Sequence, residues 1–144
     1  MVNKFCNALA AGKPEVVEQL FTEYMKKTIS VRDTFVRKPT KENFYHGILL
    51  GILSFKGGWM VQSNKEAGNG FSDIMVWIDD SDVGIVIEVK YAEPDRMEEE
   101  CQKALKQIEM NTYDEAFLAD DIHTVLKYGI ACNRKKCKVL MAKG

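Results

Sequence analysis

Three residues stand where packing alone explains them least. In Ile85-Val-Ile-Glu88-Val-Lys90 a carboxylate and an ammonium interrupt a run of apolar residues, and upstream Asp73 opens a second such run, Asp73-Ile-Met-Val-Trp-Ile. Side chains alternate faces along a strand, so Glu88 and Lys90 project to one side while Ile87 and Val89 project to the other. Burying either charge alone is costly, so each needs a partner, a metal ion or a water-filled cleft. If the two runs pair antiparallel through the turn Asp79-Asp-Ser-Asp82, Asp73 falls opposite the end that carries Glu88 and Lys90. Two carboxylates from adjacent strands, with a backbone carbonyl such as that of Val89, form an oxygen-rich site suited to magnesium or manganese. Such an ion polarises a phosphodiester and lowers the pKa of a bound water. Lys90 would orient that water or stabilise charge building on the phosphate. A competing reading stays open on these residues alone: Glu88 and Lys90 as an ion pair on an edge strand, with Asp73 simply starting a strand after a glycine-rich turn.

The elements that must position these groups follow from periodicity. Residues from Met1 to about Thr28 carry a helical pattern, with Val16, Val17, Leu20, Phe21 and Tyr24 at spacings of three and four and Pro14 suited to a first turn. Ser30 to Pro39 is more polar and irregular. A second helix is expected to start at Thr40 with Glu42 in its first turn, and its apolar residues on nearly every side imply that it is largely buried. Lys56-Gly57-Gly58 ends it, and the period then changes. Trp59 to Gln62, Asp73 to Ile78 and Val83 to Tyr91 read as three consecutive strands in a meander, separated by Glu66-Ala-Gly-Asn-Gly and by the Asp79 turn. From Pro94 a helix returns, with Met97, Cys101, Ala104, Leu105 and Ile108 as its apolar stripe. Thr124 to Cys132 and Cys137 to Ala142 read as two closing strands. The order predicts an α/β (α+β) fold with a mixed β-sheet, its three-strand meander flanked by helices.

A chain of 144 residues with 46% hydrophobic content supports one core, so 1–144 is read as a single domain. Lys and Arg nearly balance Asp and Glu at a net charge of -1, which gives no global attraction for nucleic acid. Any such partner needs a local basic patch. Arg134, Lys135, Lys136 and Lys138 make the dense basic cluster of the sequence, with Arg134, Lys135 and Lys136 as the candidate phosphate-backbone contacts, against the plainer reading of a solvated hairpin turn. The cysteines Cys6, Cys101, Cys132 and Cys137 show no paired metal-binding spacing, there is no leading segment like a signal peptide, and the longest apolar run is far too short to cross a bilayer. These features read as a cytoplasmic protein with reduced thiols and no membrane partner. Cys132 and Cys137 flank a turn and are expected to lie close together.

Beyond these residues, the sequence resembles the PD-(D/E)XK nucleases, whose restriction-endonuclease-like core carries an Asp and a Glu-x-Lys. It is most similar to a branch found at the C-terminal end of bacterial proteins that begin with an AAA-ATPase-like domain. The resemblance lies in Glu42-Asn-Phe-Tyr-His46-Gly-Ile-Leu-Leu-Gly-Ile-Leu, Glu66-Ala-Gly-Asn-Gly-Phe-Ser-Asp73-Ile, Ile87-Glu88-Val-Lys90, Ala104-Leu-Lys-Gln107-Ile and Lys127-Tyr-Gly-Ile-Ala. It implies a nuclease-like core over 40–144 behind an N-terminal helical extension over 1–39, within a longer protein. It also implies magnesium- or manganese-dependent hydrolysis of nucleic acid, DNA first, with Asp73, Glu88, Lys90, Gln107 and Glu42 as the catalytic set. Asp73, Glu88 and the Val89 carbonyl would hold the metal, Glu42 would help hold a second metal or its water, and Gln107 would face the site from its helix; Asp73, Glu88 and Lys90 are expected around one cleft at the sheet edge. His46, one turn beyond Glu42, is read as a hydrogen-bonded core or groove histidine. The family commonly places a basic residue where this chain has Phe71, and Ser72 replaces the proline of the signature. The balanced net charge and Phe71 keep a second function class open: a catalytically silent nuclease-like fold acting as an interaction or regulatory module of an AAA-ATPase-like protein.

Overall fold

Periodicity of two and of 3.6 residues translates into a mixed sheet with helices on both faces. The computed structural model describes residues 1–29, 38–65, 72–111 and 113–143. Its elements are α1 (Val2–Ala10), α2 (Pro14–Thr28), α3 (Lys38–Ser54), β1 (Trp59–Lys65), β2 (Ser72–Ile78), β3 (Val83–Tyr91), a 3-10 turn (Pro94–Arg96), α4 (Met97–Met110), α5 (Asp114–Ala119), β4 (Thr124–Asn133) and β5 (Lys136–Lys143). The strands lie in the order β1-β2-β3-β4-β5. All neighbours are antiparallel except β3 and β4, whose parallel pairing is bridged by α4. A parallel pair needs such a crossover, and the three-strand meander before it needs only turns.

Burial divides β3 cleanly. Ile85, Ile87 and Val89 join Phe5, Leu9, Phe21, Met25, Leu49 and Leu53 in one core beneath α1, α2 and α3. Met75, Val86 and Val125 face the other way and pack with Ile108 of α4 and Phe117 of α5. Polar tethers hold the helices to the sheet. The buried Tyr128 hydroxyl donates to the Leu9 carbonyl at 2.6 Å, and the Tyr45 hydroxyl donates to the Arg134 carbonyl at 2.7 Å. Glu18 of α2 accepts from the backbone N–H of Val139 at 2.9 Å, which occupies a donor on the edge strand β5 that would otherwise be open to another chain.

Several expectations need correction. The N-terminal pattern is two helices, because Ala11-Gly12-Lys13 breaks it and Gly12 takes φ +70, which favours glycine. Pro14 does stand in the first turn of the second of these. Helix α3 begins at Lys38 rather than Thr40, and Pro39 costs nothing there because first-turn N–H groups have no intrahelical acceptor. It is not buried all round: Tyr45, His46, Leu49, Ile52 and Leu53 face inward, while Asn43, Gly47, Gly51 and Ser54 form an exposed strip of small and polar residues. Helix α5 was not expected, since its six residues are too few to display a period. The irregular stretch up to residue 37 and the glycine-rich turn at 66–70 lie outside the described residues. Among those described, no helix is long and apolar enough to cross a membrane.

The four cysteines are free and buried. Cys132 and Cys137 are direct cross-strand partners, so the expected proximity holds. Burial pushes the Cys137 thiol up to about 12 and Cys6 and Cys101 up to about 11, so none is a reactive thiolate near neutrality.

Candidate active site

Hydrogen-bond register brings the three sequence candidates together. Asp73 on β2 is the direct antiparallel partner of Glu88 on β3, and opposed residues on one face of such a pair have side chains in contact range. Lys90, two residues on and therefore on the same face, places Nζ 3.9 Å from Glu88 Oε1. These three point toward α4, while the intervening Val89 is buried in the core on the opposite face. Among the described residues, no three His, Cys, Asp or Glu side chains are arranged to hold a metal ion, so further ligands would be backbone carbonyls, amide oxygens and water.

The surroundings differ from an open cleft at the sheet edge. β3 is the central strand, which also removes the edge-strand ion pair as an explanation of Glu88 and Lys90. Asp73 and Glu88 are each 1% exposed and Lys90 9%, so Lys90 is the most accessible of the three. Enclosure of this kind strengthens electrostatic interactions within the cluster, because little water screens them.

Helix α4 lies close against the sheet because the residues between them are small. A Cβ placed on Gly129, the β4 partner of Glu88, would meet the Cys101 carbonyl oxygen and lie 3.2 Å from Ala104 Cβ. Leu105, Lys106 and Glu109 border Leu140 and Met141 of β5. Gln107 stands roughly 200° around the helix from Leu105, on the other flank of the buried stripe of Cys101, Ala104 and Ile108. Its Oε1 is buried with no hydrogen-bond partner among the described residues, an acceptor suited to an ammonium, a water or a cation.

Glu42 sits in the second turn of α3, and its Oε2 accepts from the Tyr91 backbone N–H at 3.0 Å. One carboxylate oxygen is thus engaged in holding the end of β3, beyond the last residue of that strand that pairs with β2. His46 is buried and shares a hydrogen bond of 2.8 Å with Ser63 on β1, which agrees with its reading as a hydrogen-bonded core histidine. Phe71 lies outside the described residues.

One residue escaped the sequence reading. Lys127 on β4 is 7% exposed and pairs with Val86, which places it on the same face as Glu88 and Lys90. The signal was present as a single lysine in the apolar run Thr124-Val-Leu-Lys-Tyr-Gly-Ile, the same kind of interruption that marked Glu88. Two ammonium groups and two carboxylates therefore share this face of the central strands.

Residues 40–141 match the family model of the PD-(D/E)XK nuclease superfamily, a span that includes Asp73, Glu88 and Lys90. The chain belongs to this superfamily. No curated protein and no solved structure gave a significant match. The five-stranded mixed sheet flanked by helices is consistent with the restriction-endonuclease-like fold. PD-(D/E)XK nucleases typically use divalent metals. The donor set here fits such an ion: oxygen ligands only, two of them buried carboxylates, and an unoccupied amide acceptor at Gln107.

Proposed function

We propose that the protein is a divalent-metal-dependent phosphodiesterase that hydrolyses nucleic acid, with DNA as the first substrate class and magnesium or manganese as its ion. The observation that supports this reading most is the direct pairing of Asp73 with Glu88 while Lys90 stands 3.9 Å from the Glu88 carboxylate. Asp73, Glu88 and the Val89 carbonyl would hold the ion. When bound, it supplies polarisation of the phosphodiester and a bound water of lowered pKa.

Each protein group has its own part. Lys90, the most exposed of the three, offers an ammonium to the phosphoryl oxygens as negative charge builds on them. Gln107 presents an amide to the same side and orients Lys90 or a phosphate oxygen. Glu42 acts through the backbone: by accepting from the Tyr91 N–H it fixes the end of β3, and with it the direction in which Lys90 points. Its second carboxylate oxygen remains the candidate for a metal-bound water.

A second reading has a specific observation behind it. Lys127 and Lys90 together balance the two buried carboxylates, so the cluster can persist without metal as a structural ion network. In that case the chain is a silent nuclease-like module, and the resemblance points to an AAA-ATPase-like protein as its partner. Titration calorimetry with manganese separates the two. We expect wild type to bind and the pair Asp73→Asn with Glu88→Gln to lose binding altogether. Equal binding by both proteins would put the metal elsewhere, and no binding by wild type would favour the module.

A further inference from the structure

At the end of β3, bordered by α2, α3, the start of α4 and the β4–β5 turn, lies a cavity of about 610 Å³. Five cations converge on it from segments far apart in sequence: Lys26 in the last turn of α2, Lys41 on α3, and Arg134, Lys135 and Lys136 at the β4–β5 turn. That is five of the 20 Lys and Arg residues in a chain whose net charge is -1. Opposing them among the described lining residues is one carboxylate, Glu93. The rest of the wall includes the Tyr91 ring and Met97, which are apolar surfaces next to a cationic rim.

The rim is held in place. Arg134 takes φ +52, a left-handed conformation that glycine or asparagine would adopt at less cost, and the Tyr45 hydroxyl fixes its carbonyl. Asn133 Nδ2 donates to the Ala92 carbonyl at 2.8 Å, tying the hairpin to the residue just after β3. The Lys41 ammonium lies 4.3 Å from the centre of the Tyr91 ring, which keeps it over the cavity wall. An Arg kept at a strained position, beside four lysines and an aromatic ring, suits a ligand with an anionic group and a flat apolar part.

We propose that this cavity holds one nucleotide of the nucleic-acid strand, its phosphate among the five cations and its base or sugar against Tyr91 and Met97. The proposal rests on the nuclease reading and adds where the strand goes: Tyr91 of the cavity wall directly follows Lys90, so a strand running past the end of β3 reaches the cavity next to Lys90. An internal phosphodiester and a terminal phosphate present the same anionic oxygens, and the test below distinguishes them.

Binding is measured by fluorescence anisotropy in EDTA, where no metal-dependent cleavage occurs, as a function of salt. The probes are single strands with 5′-phosphate or 5′-hydroxyl ends, closed single-stranded circles, and free deoxynucleoside monophosphate. Each of Lys26→Gln, Lys41→Gln and Lys135→Gln should make the plot of log affinity against log salt shallower by about 0.7. Lys4→Gln and Lys143→Gln, exposed and outside the cavity, should leave it unchanged, and thermal melts should match throughout. Equal effects on circles and linear strands identify an internal phosphate, whereas effects confined to 5′-phosphorylated strands identify a terminal one. Unchanged slopes in all three cavity variants overturn the proposal, as does free nucleotide binding as tightly as the strand. Since no cleavage is needed, shallower slopes in a protein that never cuts leave the cavity assignment standing. Unchanged slopes in a protein that does cut remove the cavity alone.

Discussion

On the proposed function, Lys90→Ala is expected to lower the rate of metal-dependent cleavage by roughly 10²- to 10³-fold, equivalent to about 2.7 to 4 kcal/mol of transition-state stabilisation. The reasoning is positional. Lys90 stands 3.9 Å from Glu88 Oε1 and is the most accessible member of the cluster, and an ammonium has no lone pair for a metal, so on the proposed function its charge would act on the phosphate. Removing it also leaves Glu88 buried with less compensation, which destabilises the fold. Lys90→Arg separates these effects. It keeps a positive charge beside Glu88 and should hold the melting temperature near wild type, yet a guanidinium presents a broad fork where a compact ammonium stood, so the rate should still fall. Rates at saturating manganese, beside melts of the same samples, check this. Cleavage at the wild-type rate by Lys90→Ala would remove Lys90 from the mechanism while leaving the family assignment intact.

Gly129→Val should be the most damaging single change outside the charged cluster. Its added carbons run into the backbone carbonyl of Cys101, which cannot rotate away as a side-chain end can, and into Ala104. Overpacking of this kind commonly costs about 1–3 kcal/mol and occasionally more, and with backbone as the obstacle the upper part of that range is expected. Helix α4 must lift from β4, and Gln107 rides on it, so cleavage should fall further than the population of folded protein explains. Chemical denaturation gives the first quantity and activity per folded molecule gives the second. Gly129→Ala, a smaller intrusion at the same place, should lie between the two. If Gly129→Val matches wild-type stability, the close approach of α4 is wrong.

What could be read from the residues depended on whether their environment was local. The register of Asp73 against Glu88 followed from a four-residue turn and strict alternation, both local properties, and it holds. The position of β3 at the centre of the sheet did not, because it depends on β4 entering parallel beside it after a helical crossover. That is why an edge cleft was expected where an enclosed cluster was found. Helix α3 misled for a related reason: its apolar content is high, but Gly47 and Gly51 share a face with Asn43 and Ser54, and composition without phase hid the exposed strip. Lys127 is legible by the same rule that marks Glu88, a lone charge inside an apolar run. The convergence of Lys26 and Lys41 with the β4–β5 turn was not legible at all, since nothing in a sequence says that the end of α2 lies beside a hairpin formed more than a hundred residues later.

The central claim, a metal-dependent nuclease centred on Asp73 and Glu88, is tested most directly by cleavage. Wild type and Glu88→Gln are incubated with single-stranded DNA, duplex DNA and RNA in magnesium, in manganese and in EDTA. The account predicts cleavage of at least one substrate by wild type with a divalent ion, none in EDTA, and none by Glu88→Gln under any condition. Cleavage that survives EDTA, or that Glu88→Gln performs as fast as wild type, would contradict it.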